Sequence, residues 1–311
     1  MRNRKQPNQH QPKYLDRLDT RELKDRVAEA ETTLLDCHLC GNNCHINRIQ
    51  KVGPCKIGET AYVASYGPHH GEEDVLRGRY GSGTIFFSGC NLHCVYCQNA
   101  DISQRRAGFP VSDQDLADIM LDLQDRRCHN INLVSPTHVV PMIVKGLATA
   151  IPKGLRIPVV YNTGGYDQPQ ALHLMEDLID IYMPDMKYAD ATIGLKLSGV
   201  RDYPDVNRRA VRVMHQQVGD LQVNKEGLAY RGLLVRHLVL PRELANTKKV
   251  VDFLGQEISK DTALNLMAQY RPSYKAHECA TENLPIDRRI TPKEYQAALE
   301  LARQAGLHNF V

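Results

Sequence analysis

Long apolar runs are absent from this 311-residue chain, and none approaches the length that a membrane-spanning helix needs. The N-terminus also lacks the apolar core of a secretory signal peptide, so we expect a cytoplasmic protein without a membrane partner. The formal net charge is only +3, which gives no indication of a nucleic-acid partner. With these classes set aside, the length suits one large α/β barrel or two ordinary domains.

Residues 1–18 are expected to form a flexible tail. Asn, Gln and Pro are frequent there, a composition typical of disorder, and Arg2, Arg4, Lys5 and Lys13 make its early part basic. From residue 19 to residue 35, apolar side chains recur at helical spacing and predict an amphipathic helix. This helix leads into a cysteine-rich segment, and we assign both to an N-terminal module over residues 19–80.

Nine cysteines in a chain without a secretory signal indicate metal chemistry rather than disulfides. Four of them fall within nineteen residues of the N-terminal module, at Cys37, Cys40, Cys44 and Cys55. Four thiolates suit a closed tetrahedral zinc, which would fix the fold of a short segment. They also suit a second iron–sulfur cluster, which would pass electrons onward. His38 and His45 could replace a thiolate, although we expect these histidines to face solvent.

A loop rich in histidine and carboxylate follows a short predicted strand. Its sequence is Gly67-Pro68-His69-His70-Gly71-Glu72-Glu73-Asp74. Paired histidines beside carboxylates can form a proton relay. Their spacing does not match that of a metal site, however, so a solvated loop is the expected structure.

The segment over residues 83–99 combines a strand with three closely spaced cysteines. An apolar, aromatic run at residues 84–87 predicts a buried strand that Gly89 ends. The cysteines of the following loop are Cys90, Cys94 and Cys97. Three thiolates can hold three corners of a [4Fe–4S] cluster, whereas electron-transfer clusters use four. An iron without a protein ligand can bind a small molecule, which turns an electron carrier into a potential catalyst.

This spacing, with Tyr96 just before the last cysteine, resembles the signature of the radical S-adenosylmethionine (SAM) enzymes. The longer run over residues 81–99 is similar to a branch related to pyruvate formate-lyase activating enzyme, and the similarity extends from about Cys37 to the C-terminus. The resemblance implies that the three loop cysteines hold a [4Fe–4S] cluster whose fourth iron is chelated by SAM. Reduction would cleave SAM to methionine and a 5′-deoxyadenosyl radical, which removes hydrogen from a substrate.

Five further apolar runs of strand length follow the cysteine loop, and together with residues 84–88 they make six. They lie at residues 130–135, 157–162, 181–186, 233–240 and 263–270. Helical patterns separate them, so we predict a parallel sheet with crossover helices. Six such units form an open barrel, as in the resembled superfamily. The predicted fold is therefore α/β, a partial (β/α)6 barrel of the radical SAM type over residues 81–275.

Local signals mark several smaller elements. Ser112 and Asp115 form a capping box at the start of one crossover helix. An inserted β-hairpin is predicted over residues 221–230. Thr291 and Pro292 begin a last helix, so residues 276–311 are assigned to a C-terminal helical segment.

Polar residues follow most of the predicted strands, at the edge where sites collect in parallel α/β folds. By resemblance, the SAM amino group lies near the end of the second strand, which assigns that contact to Ser135 or Thr137. Asp185 and Lys187 look like the Asp-x-Lys of the activating enzymes, close to SAM and substrate. They are our candidate catalytic residues.

The same similarity suggests further roles. Thr163 and Asp185 would contribute to a monovalent cation site. Tyr96 would pack against the adenine of SAM, and Lys187 would balance negative charge. Simpler alternatives are a helix-capping role for Thr163 and an ion pair of Asp185 with Lys187 or Arg236.

The resemblance also implies a one-electron donor of the flavodoxin or ferredoxin type. One candidate substrate is a glycyl-radical enzyme, whose glycine loop would enter the barrel mouth. A small molecule or a different peptide is the other. A non-catalytic iron–sulfur carrier is the alternative from another class, and it would need a fourth protein ligand in the cysteine loop, for which His93 is available.

Overall fold

The structure is a computed structural model that describes residues 11–17 and 19–311. Most of the predicted tail, with Arg2, Arg4 and Lys5, lies outside the described residues. The part that is described packs against the protein. Tyr14 is fully buried, and its hydroxyl donates to the backbone carbonyl of Ile157 over 2.8 Å.

Helices begin where the sequence places a capping residue before an apolar pattern. Asp19, Ser112 and Thr291 each cap a helix, and a carboxylate three residues later completes each capping box. The α-helices of the described residues are α1 Tyr14–Arg17, α2 Thr20–Leu35, α3 Asp74–Arg77, α4 Ala100–Arg105, α5 Asp113–Asp125, α6 Val140–Ala150, α7 Pro169–Met175, α8 Ala191–Ser198, α9 Tyr203–Val218, α10 Thr247–Phe253, α11 Ala276–Cys279 and α12 Pro292–Gln304. None of these has the length and hydrophobicity that a membrane span requires.

The strands form one mixed sheet, and the protein is therefore of the α/β class. They are β1 Ala61–His69, β2 Ser82–Phe87, β3 Phe109–Val111, β4 Ile131–Val134, β5 Val159–Thr163, β6 Ile181–Pro184, β7 Gln222–Val223, β8 Ala229–Leu238 and β9 Ala263–Met267. The sheet order is β3-β1-β2-β4-β5-β6-β8, and both β7 and β9 pair with β8.

Six strands, β2, β4, β5, β6, β8 and β9, pair in parallel in that order. The predicted set of six parallel strands is confirmed, and the arrangement is consistent with a partial barrel. The antiparallel members are β1 and β3 beside β2, and β7 beside β8. Strand β7 and the start of β8 form the predicted hairpin. The domain boundaries, including that of the cysteine-rich module, stay predictions.

Alternation along the strands separates two layers of the core. Ile85, Leu133 and Tyr161 pack toward the helices in the larger hydrophobic cluster. Their neighbours on the other face, such as Val160 and Met183, form a smaller cluster with Leu76 of α3. That inner face continues into polar residues toward the carboxyl ends of the strands, and this polar end carries the candidate site.

Candidate active site

The cysteine loop begins at a tight turn after β2. Gly89 has φ +81°, and a Cβ there would lie only 2.5 Å from the backbone carbonyl oxygen of Cys55, so both conformation and space require glycine. Further along, the Val95 backbone amide donates to the carbonyl of Leu197, at the end of α8, over 2.9 Å. These contacts hold the loop at the polar end of the parallel strands.

Cys90, Cys94 and Cys97 line one cavity together. The sulfur of Cys94 lies 2.9 Å from the Ser198 hydroxyl, and that of Cys97 lies 3.3 Å from the Ser103 hydroxyl. Burial, followed by the charges of the neighbouring sulfurs, raises the pKa of Cys90 to about 12. Burial opposes an isolated thiolate at Cys90, and the three sulfurs converge on one cavity, so the donor set fits a positively charged iron–sulfur cluster.

His93 is turned away from this centre. Its side chain is exposed, and Nδ1 lies 2.8 Å from the Oε1 atom of Gln104. The cavity that the three cysteines line is bounded instead by Ser135, Asn162, Thr163 and other polar strand ends. A fourth protein ligand from His93 is thus disfavoured, and the side of the centre that faces the cavity is left for a ligand.

Asp185, Lys187 and Arg236 form an ion-pair network at the wall of that cavity. The Lys187 ammonium donates to Asp185 Oδ2 over 2.6 Å, and Arg236 Nε donates to Oδ1 of the same carboxylate over 3.0 Å. Burial acts to raise the pKa of Asp185, but the two cations outweigh it and hold that pKa below its usual range. Both alternatives for the Asp185 ion pair are therefore realised at once.

A second cavity adjoins the first and shares five lining residues with it, namely Cys94, Cys97, Asp185, Lys187 and Arg236. Its own lining includes Tyr96, Gln98, Met267 and Gln269. The Tyr96 ring is buried edge-on against Tyr188 and Tyr270, and its hydroxyl bonds to that of Tyr188. Tyr96 thus lies in the wall of the second cavity with most of its side chain buried.

Ser135 and Thr137 have different environments. Ser135 lines the first cavity and has φ +57°, an uncommon conformation for a residue other than glycine. Thr137 is 1% exposed, and its hydroxyl donates to Asp167 over 2.7 Å. The geometry therefore favours Ser135 over Thr137 as a ligand contact.

Asp167 is a buried carboxylate that the sequence patterns do not reveal. It accepts hydrogen bonds from the hydroxyls of Thr137, Tyr161 and Thr163, at 2.7 to 2.9 Å. Burial raises the pKa of Asp167, and the three donors counter that rise. Thr163 thus anchors Asp167 below the site instead of capping a helix. The only sequence signal for this buried carboxylate is the presence of three hydroxyl residues at separate positions, and such a signal is too common to be specific.

The prediction of a solvated loop after β1 is wrong for two of its carboxylates. Asp74 and His70 are exposed, but the side chain of Glu72 is only 9% exposed and lies 3.9 Å from Arg236. Glu73 accepts a hydrogen bond from Asn265 of β9 over 2.8 Å. The loop folds inward because α3, which follows it, buries Leu76 in the inner core.

The N-terminal cysteines dock beside the cysteine loop. The Asn42 side chain donates to the Asn91 carbonyl over 2.7 Å, and the Gly41 amide donates to the Tyr166 carbonyl over 3.2 Å. Arg48 is 1% exposed and donates to the backbone carbonyls of His138 and Gly58, each over 2.7 Å. Cys37, Cys40 and Cys55 are buried, and Cys44 is half-buried.

His38 and His45 face Asp36. His45 Nδ1 lies 2.8 Å from Asp36 Oδ1, and His38 Nδ1 lies 2.8 Å from the Asp36 backbone carbonyl. Ligand atoms of these three residues lie within 4.8 Å of one another. The two histidines are therefore engaged with Asp36 in this structure.

The structure combines a mixed α/β sheet, a three-cysteine loop after the first parallel strand, and polar strand ends around one cavity. A family model described as Radical SAM superfamily matches residues 84–221. The uncharacterized protein MJ0674 of Methanocaldococcus jannaschii is 35% identical over 292 residues, which cover 91% of this chain and 78% of that protein. The chain therefore belongs to one family with that protein, and residues 84–221 carry a radical SAM superfamily domain.

One structural relative is SuiB of Streptococcus suis, solved bound to its precursor peptide SuiA. Its TM-score is 0.48 at 13% identity, over 71% of this chain, and the chain spans 46% of the length of SuiB. The radical SAM superfamily domain over residues 84–221 implies an enzyme of SAM-dependent radical chemistry with a [4Fe–4S] cluster.

Proposed function

We propose that the protein reductively cleaves SAM to methionine and a 5′-deoxyadenosyl radical, which removes a hydrogen atom from a substrate. Cys90, Cys94 and Cys97 would hold the [4Fe–4S] cluster, which supplies the electron for this cleavage. The observation that carries the proposal is the cavity that these cysteines share with Asp185 and Lys187. A cluster ligand set that opens onto charged, buried side chains suits catalysis better than electron storage.

The chain's own residues would bind and orient SAM. Lys187 and Arg236 are cationic donors suited to a carboxylate, and Asp185 keeps both in place through its two oxygens. Ser135 would contact the SAM amino group, and Tyr96 would pack against the adenine. Asp185 and Thr163 would contribute oxygen ligands to a monovalent cation site, because oxygen ligands suit such ions.

The direct test uses anaerobically reconstituted protein with dithionite and SAM. We expect 5′-deoxyadenosine from the wild type and none from Cys94→Ala. Cys128→Ala is the matched control, because Cys128 is also buried but lies outside both cysteine sets. Equal product from Cys94→Ala and the control would refute the proposal.

For the substrate, we propose activation of a glycyl-radical enzyme, on the similarity of residues 81–99 to the pyruvate formate-lyase activating enzyme branch. A small molecule or a different peptide is the alternative. Incubation with a glycyl-radical enzyme from the same genome should produce a glycyl-radical EPR signal that requires SAM. Failure with every such enzyme in that genome would favour the alternative.

At the N-terminal cysteines we propose a second iron–sulfur cluster in preference to zinc. One tetrahedral zinc with Zn–S bonds of about 2.3 Å holds its sulfurs about 3.8 Å apart. Within the described part of the chain, only Asp36, His38 and His45 bring three ligand atoms within 4.8 Å of one another. Among the described residues, no three of the four N-terminal sulfurs therefore lie within 4.8 Å of one another, and a cluster with several irons accepts a wider set of sulfurs than one zinc ion does. A reconstituted Cys37→Ser variant should lose about half the iron and sulfide and no zinc.

The one-electron donor that we propose is a small acidic protein of the flavodoxin or ferredoxin type. Ile49 and Val52 are 52% and 55% exposed and share a cleft with Lys51 and Arg106. Lys56, next to Cys55, is exposed nearby. Exposed aliphatic side chains among cations suit a weakly bound acidic partner.

A further inference from the structure

The inner face of the parallel strands carries a layer of polar residues just below the ion-pair network. Alternation places these side chains on the inner face, counted from inner apolar residues in β5, β8 and β9 and from the outward-facing Ile131 and Leu133 in β4. They are Asn132 of β4, Asn162 of β5, Arg236 of β8 and Asn265 of β9. A barrel interior normally excludes such residues, so this layer requires an explanation.

Glu72 and Glu73 enter this layer from the loop after β1. Glu73 Oε1 accepts from Asn265 Nδ2 over 2.8 Å, and Glu72 Oε2 lies 3.9 Å from an amino group of Arg236. Burial, partly offset by Arg236, raises the pKa of Glu72 to about 7, and the Glu73 carboxylate adds to the rise. Two carboxyl groups thus share a site with one adjacent cation.

Unpaired polar atoms concentrate at the same place. Among the described residues, seven buried side-chain nitrogen and oxygen atoms have no hydrogen-bond partner. Three of these atoms belong to this layer, namely Glu73 Oε2 and both amide atoms of Asn132, a residue that is 0% exposed. A proton on the carboxyl pair would give Glu73 Oε2 a partner.

A count of charges leads to the same result. Glu72 and Asp185 lie beside the two cations Lys187 and Arg236, and the charge of Glu73 also acts on Arg236. Fully ionised, the group carries one uncompensated negative charge in a buried setting, which is costly. One proton shared by the two glutamates removes it, as in other carboxyl pairs that cannot both ionise.

We infer that Glu72 and Glu73 share one proton and act as positioning residues that hold Arg236 at the candidate active site. Arg236 is fixed on two sides, by Asp185 at Nε and by Asn162 at its NH2 group, whose distance to Asn162 Oδ1 is 2.6 Å. Its remaining amino group faces Glu72. One negative charge on the glutamate pair attracts this amino group of Arg236 and leaves no uncompensated negative charge in the buried site. The inference rests on the proposed function only for the ligand that Arg236 would contact.

Other groups near the pair are few. Asn132 of β4 faces Glu72, Asn265 of β9 bonds to Glu73, and the His69 ring lies beside Gly71. The pair's own protonation should therefore dominate its response to pH. Glu72 binds a proton more tightly in the folded protein than in the unfolded chain, so this group's contribution to stability grows as pH falls from about 7 toward 4.5.

The test compares Glu72→Gln, Glu73→Gln and the double variant in reconstituted protein, with Glu257→Gln as the control. Glu257 pairs with Arg212 on the surface and has the same chemistry without burial. Each single variant keeps one carboxylate, so its SAM dissociation constant should stay within about threefold of the wild type. The double variant removes the negative charge beside the Arg236 amino group that faces Glu72, so that group loses its position, and SAM should bind at least about tenfold more weakly.

Infrared difference spectra provide a readout that needs neither SAM nor turnover. At pH 7 the wild type and Glu257→Gln should show a protonated-carboxyl band that either single variant lacks. Subtraction removes the contribution of other buried acids such as Asp180, whose pKa burial also raises to about 7. A band that survives in both single variants would overturn the inference, whether or not the double variant folds.

The SAM dissociation constants test the shared proton and the positioning role independently of the infrared spectra. Two single variants that each lose as much affinity as the double variant would mean that both charges are needed, and the shared proton would be wrong. A double variant that binds SAM like the wild type would remove the positioning role. Absence of SAM cleavage in all proteins would refute the proposed function and leave the infrared result standing.

Discussion

The two cysteine sets differ in what surrounds their sulfurs. In the N-terminal set, Cys44 and Cys55 lie 3.7 and 3.8 Å from the backbone carbonyls of Cys37 and Ile57, so their sulfurs are enclosed by their own segment. In the second set, the sulfurs border a cavity that also has Asp185 and Lys187 in its wall. Similar thiols are thus enclosed by the chain in one place and border a cavity in the other.

The difference shows that ligand number and cysteine spacing describe a metal site only in part. Access to the metal depends on which elements follow the cysteines. The second set precedes α4 and faces the carboxyl ends of parallel strands, where loops leave room for a ligand. The first set is covered by the loop after β5, through the contact between Gly41 and Tyr166.

The largest expected contrast comes from one serine substitution in each set. Cys97→Ser should lower dithionite-driven SAM cleavage by at least about a hundredfold, because the catalytic cluster loses a ligand. Cys55→Ser should retain that activity within about fivefold, because the chemical reductant bypasses the first set. Assays of 5′-deoxyadenosine formation check both. Equal loss in the two variants would mean that the sets act as one unit.

Gly89→Ala tests the contact between the sets. The added methyl group would press on the Cys55 carbonyl, and φ +81° disfavours alanine. We expect a loss of about 3 kcal/mol in the free energy of unfolding. Denaturant titration measures it, and Gly227→Ala is the control, since it has φ +78° with open space around its Cβ position. If both variants lose a similar free energy of unfolding, the backbone conformation of Gly89, and not its contact with Cys55, explains the effect of the substitution.

Lys187→Ala examines the open site alone. It removes a cation from the cavity wall and leaves Asp185 with Arg236. The SAM dissociation constant should rise by about tenfold, since one charge-assisted contact is lost. Lys196→Ala, on the exposed side of α8, is the control. No change in SAM binding would exclude Lys187 from the ligand site.

The smallest expected effect concerns the transfer of electrons from the donor protein to the sites formed by the two cysteine sets. Lys51→Glu together with Arg106→Glu should slow reduction by an acidic flavodoxin by about fivefold at low salt. The difference from wild type should shrink as ionic strength rises. Reduction by dithionite should be unaffected. A donor rate that ignores both charge reversals would exclude this cleft as the docking surface.

Local signals in the sequence predict much of the fold. The capping signals at Ser112 and Thr291, the helical pattern over residues 19–35 and the six apolar runs all correspond to observed elements, because neighbouring residues decide them. Helices α4 and α8 are not predicted. Each is short and lacks a long apolar stripe, so its existence depends on packing beside the cysteine loop.

The residues of the candidate site also fall into those that the sequence predicts and those that it does not. The three loop cysteines and the pair Asp185 and Lys187 are found from spacing and resemblance, since each lies in a short motif. Asp167 is not, because its three hydroxyl donors come from different parts of the chain. Glu72 and Glu73 look like part of a solvated loop until α3 turns them inward.

The sequence by itself determined the α/β class, the order of the parallel strands along the chain and the three-cysteine loop, since each depends on residues close together in the chain. Tertiary structure alone decided which cysteine set opens onto a cavity. It also decided that Glu72 lies beside Arg236, at 3.9 Å, although more than 160 residues separate them. The loop after β1 reaches strands β8 and β9 at the other end of the parallel sheet, and this brings the two residues together. A sequence pattern confined to neighbouring residues carries no information about such a contact.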